Sequence, residues 1–125
     1  CATAVGCDIT LASSNACFAF PEIEHDIPPT MAMCAALGKV QAKALTYLIY
    51  SADSISADEA VTLGLASKVL PQATFAADSD AFLTRLASRP RLILETIKKY
   101  QAKASQLTPD MASEYAGTLL ALVRS

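Results

Sequence analysis

Pro28-Pro29 separates two apolar periods in this chain, and so limits what each side can become. Ahead of the pair the apolar residues alternate. Behind it they recur at the spacing of helices. Val5, Cys7, Ile9 and Leu11 fall on one face of a strand expected over Ala4–Ala12. Ser13-Ser14-Asn15 is a turn cluster. A second extended run, Cys17–Phe20, stops at Pro21, which biases Phe20 towards extended backbone.

The helical part opens at Thr30–Leu37, with Pro29 at an early position, and Gly38 interrupts it. Lys39–Tyr50 then places Val40, Ala44, Tyr47 and Leu48 at helical spacing. Ser56-Ala57-Asp58-Glu59 is a capping box: the Ser56 hydroxyl accepts from the Glu59 amide, and the Glu59 carboxylate reaches back to the Ser56 amide. Its helix ends at Gly64, a residue suited to the left-handed terminator. A short strand is expected in Leu65–Leu70 before Pro71, and helices over Ala76–Ser88, Pro90–Lys103 and Asp110–Val123. Thr108-Pro109 starts the last of these as cap and first helical residue. The gaps are short, as in a packed unit.

With 125 residues the chain has the length of one domain, and at 53% apolar and 18% charged it is expected to pack a core rather than stay disordered. A net charge of −2, with no long basic stripe, argues against a nucleic-acid partner. No apolar run reaches membrane-spanning length, and no charged start precedes an apolar signal segment. Cys1, Cys7, Cys17 and Cys34 lie among small apolar residues. With one histidine and no C-x-x-C pair they suggest no metal site; they read as core thiols of a cytoplasmic protein. The alternating pattern begins at the first residues, and an open edge strand there would invite pairing. The chain is therefore expected to be the later part of something longer, or to pair with another segment.

The chemistry concentrates in CFAFPEIEHDIPP, residues 17–29. Glu22 follows an apolar run and a proline that fixes the backbone, and apolar surroundings move a carboxyl towards the range useful for proton transfer. Glu22, Glu24 and Asp26, with His25 among them, also fit a solvated acidic turn. Both readings stand on spacing alone.

The order of motifs adds to this. Gly6-Cys7-Asp8, Ala12-Ser13, Asn15-Ala16-Cys17-Phe18 and Pro21-Glu22-Ile23 resemble a string of the crotonase family, also called the enoyl-CoA hydratase/isomerase family. Ile55-Ser56-Ala57, Glu59-Ala60, Gly64-Leu65 and Val69-Leu70-Pro71 resemble a second, and RPRLILETIKKYQAKA resembles a helix that follows. The resemblance runs from Cys1 to about Lys103, and more loosely to the end.

The resemblance implies an α/β class leaning to α+β. Residues 1–71 would be the end of the crotonase ββα spiral with its active-site loop, and 72–125 a helical trimerisation region. It implies an acyl-CoA thioester as substrate, no other cofactor, no metal, and a homotrimer or dimer of trimers. The family's two oxyanion-hole amides would come from an N-terminal half that is not in this sequence. Glu22 falls on the family's acid/base glutamate, and the second glutamate of hydratases falls on Ala2. One carboxylate suits double-bond isomerisation, so an isomerase is expected. A hydratase-like lyase is the alternative, and a non-catalytic oligomerising module another. Phe20, Pro21 and Met31 are expected at the substrate pocket. The stretch after Glu22 departs from the family's glycine-rich pattern and brings His25 close, as a second candidate catalytic group. Lys98 and Lys99, with Lys103, are placed either at a CoA phosphate or on a solvated helix face.

Overall fold

The computed structural model describes all 125 residues. Seven α-helices and four short strands follow in the order α1 (Ala2–Gly6), β1 (Leu11–Ser13), β2 (Cys17–Phe18), α2 (Thr30–Ala36), α3 (Ala42–Ser51), β3 (Ile55–Ser56), α4 (Ala57–Leu63), β4 (Lys68–Leu70), α5 (Phe75–Ala87), α6 (Arg91–Ala104) and α7 (Pro109–Arg124). Short 3-10 turns occupy Pro21–His25 and Gln72–Thr74. The chain divides into two units, residues 1–80 and 81–125, with the boundary inside α5.

In the first unit β1 pairs in parallel with β4, in the register Leu11↔Lys68, Ala12↔Val69 and Ser13↔Leu70. Three bonds extend the pair: the Ser67 and Ser14 amides donate to the carbonyls of Thr10 and Leu70, and the Thr10 amide donates to the Ser67 hydroxyl. β2 pairs antiparallel with β3, Cys17↔Ser56 and Phe18↔Ile55. Phe20 and Leu48 are the largest wholly buried side chains, in a core that includes Val5, Ala36, Ile49 and Leu65.

The strand expected over Ala4–Ala12 forms only at its far end. Ala2–Gly6 is helical instead, with Val5 buried, Cys7 and Ile9 exposed, and Ala12 rather than Leu11 fully buried. The helix packs on α2 with Val5 buried, and a Cβ on Gly6 would meet the Ala35 Cβ at 3.5 Å, an ordinary packing contact. The Thr10 hydroxyl donates to the Ala4 carbonyl and ties the exit of the helix. The third helix starts at Ala42 rather than Lys39, because Gln41 holds extended backbone, and it buries Leu45, Leu48 and Ile49. Tyr47 and Tyr50 are 62% and 74% exposed on this helix.

The four cysteines are free and exposed, not core thiols. Cys17 alternates with buried Phe18 on β2, and Cys34 lies between buried Ala32 and Ala36 on α2, so neighbours take the inward positions.

The capping box forms as expected, with the Glu59 amide 3.2 Å from the Ser56 hydroxyl and the Ser56 amide 3.5 Å from the Glu59 carboxylate. In the second unit α6 and α7 pack together, with Tyr100 stacked on Tyr115 and Leu119 buried. No helix is long and apolar enough to cross a membrane.

Candidate active site

Pro21 cannot continue a strand, and its fixed φ suits the first position of a tight helical turn. The chain therefore leaves buried Phe20 and winds one 3-10 turn over Pro21–His25. Asp26 closes it in the left-handed region, φ 56°, a conformation that Asp tolerates better than most residues. The Ile27 amide, 3.1 Å from the Glu22 carbonyl, and the Asp26 amide, 3.2 Å from the Ile23 carbonyl, lock the turn.

Glu22 is half-buried on this turn, and one of its carboxylate oxygens, Oε2, is shut off from solvent with no hydrogen-bond partner. Buried polar atoms are nearly always paired, so an unpaired carboxylate oxygen stands out on this turn. His25, Glu24 and Asp26 are exposed.

An apolar cavity of about 360 Å³ lies beside the same turn, lined by Ile23, Ile27, Pro28, Met33 and Ile49 with Thr46 and Tyr50 among its polar groups. Beyond it on α3, the Tyr47 hydroxyl donates to the Asp53 carboxylate at 2.7 Å. That bond and the carboxylate's charge hold the Tyr47 hydroxyl above its ordinary pKa.

Of the residues expected at the site, Glu22 and His25 share one turn, with Pro21 at its start. Phe20 is only 1% exposed and belongs to the core. Met31 is 82% exposed on α2, while Met33 lines the cavity. Lys98 and Lys99 are exposed on α6 in the second unit. Lys103, one turn on, lies 5.0 Å over the Tyr115 ring.

Residues 1–120 match the family model described as enoyl-CoA hydratase/isomerase. The chain belongs to the enoyl-CoA hydratase/isomerase family. It is 31% identical to a short-chain-enoyl-CoA hydratase of Clostridium acetobutylicum over 116 residues, which cover 90% of this chain and 43% of that one. It is 32% identical to a crotonyl-CoA hydratase of Syntrophomonas wolfei, over 90% of this chain and 44% of the relative. Among solved structures, human enoyl-CoA hydratase domain-containing protein 3 superposes with a TM-score of 0.90 at 25% identity, over 97% of this chain and 48% of that one. The chain thus spans less than half the length of these relatives, and it has the crotonase fold over that span.

Proposed function

We propose that the full-length protein acts on an acyl-CoA thioester and that Glu22 is the carboxylate that moves the proton. The orphaned, solvent-shielded Oε2 of Glu22 carries this reading. A carboxylate oxygen held out of solvent with no partner in this chain is placed to exchange a proton with substrate. The favoured reaction is isomerisation. Glu22 takes a proton from C2 of a 3-enoyl thioester, the electron pair moves to the thioester carbonyl, and the proton returns to C4 as the double bond shifts. Amide donors fixed at the thioester oxygen would stabilise the intermediate, and in this proposal they come from the rest of the full-length protein.

Hydration is the second reading, favoured by the two curated relatives, both hydratases. Lys98 and Lys99 are proposed to meet the CoA phosphates, and the full-length protein to assemble as a trimer or a dimer of trimers. The deciding variant is Glu22→Gln in the full-length protein, assayed on 2-enoyl-CoA and 3-enoyl-CoA. Turnover falls about 100-fold or more with acyl-CoA binding retained. Turnover close to wild type removes Glu22 from the mechanism.

A further inference from the structure

We draw no further inference here: the strongest candidate, the apolar cavity lined by Ile23, Ile27, Pro28, Met33 and Ile49 beside the turn that carries Glu22, belongs to the site already described, and nothing in the structure shows what covers it.

Discussion

Gly64 and Gly38 both hold left-handed backbone, at φ 93° and φ 73°, yet their surroundings differ. A Cβ on Gly64 would sit 2.2 Å from the Lys39 carbonyl oxygen, while one on Gly38 would meet nothing within 4 Å. Left-handed backbone alone costs an L-residue about 1–2 kcal/mol. Gly38→Ala is therefore expected to cost that amount. Gly64→Ala adds a clash with fixed backbone and is expected to cost at least about 2 kcal/mol more, of the order of an overpacked core site. The difference in urea midpoints of the two variants checks this, and equal midpoints would refute the close approach. Only part of it was legible in the sequence. Gly64 reads as a helix terminator from the capping box ahead of it, but the carbonyl that crowds it comes from the segment before α3. Glu22 has the same history. Its position on a proline-started turn is local and readable, while the isolation of its Oε2 depends on what folds around it.

At the scale of the element, helix α4 shows why some segments are written locally. Seven residues make two turns, too few to hold a helix in water without help from the ends or from packing. Here Ser56 and Glu59 satisfy the first turn, Gly64 closes the last, and Ala57 and Ala60 are wholly buried. Ser56→Ala is expected to destabilise the protein by about 1 kcal/mol, and Ser56→Asp to recover most of it. A Ser56→Ala variant with an unchanged denaturation midpoint would mean that burial of the alanines alone holds the helix. The same local logic made α5, α6 and α7 readable to within a residue or two, since proline, threonine and helical periodicity mark them. It failed for α1. The sequence CATAVGC alternates small and apolar residues as a strand does, and its helix goes with packing against α2, where Val5 is buried and Gly6 lies against Ala35. No window around α1 contains that contact. Strand β3, two residues long, was missed because it is defined by its pairing with β2 and has no periodicity of its own.

At the scale of the whole molecule, the family fold and the place of the site turn between strand and helix follow from motifs in the sequence, although α1 and β3 do not. What the second unit packs against does not, because the apolar face of a helix is the same whatever covers it. Leu119 is the one buried residue of α6 and α7. Leu92, Ile97, Leu120 and Leu122 are half or more exposed, and a cavity of about 300 Å³ between the two helices is lined by Ile93, Ile97, Leu119 and Leu120. Contiguous apolar surface on this scale marks an association site on soluble proteins. The 125-residue chain on its own is therefore expected to sediment above its monomer mass of 13.1 kDa. Leu120→Glu places a charge on that cavity, where burial without a partner is costly, and is expected to shift the population back towards monomer. A chain that sediments as a monomer at micromolar concentration, with no change on Leu120→Glu, refutes association through this face. The full-length protein separates the remaining possibilities. If its other residues cover the face within one chain, Leu120→Glu lowers its stability and leaves its mass unchanged. If the face joins subunits, the same substitution lowers the mass, and the wild type sediments as three or six chains.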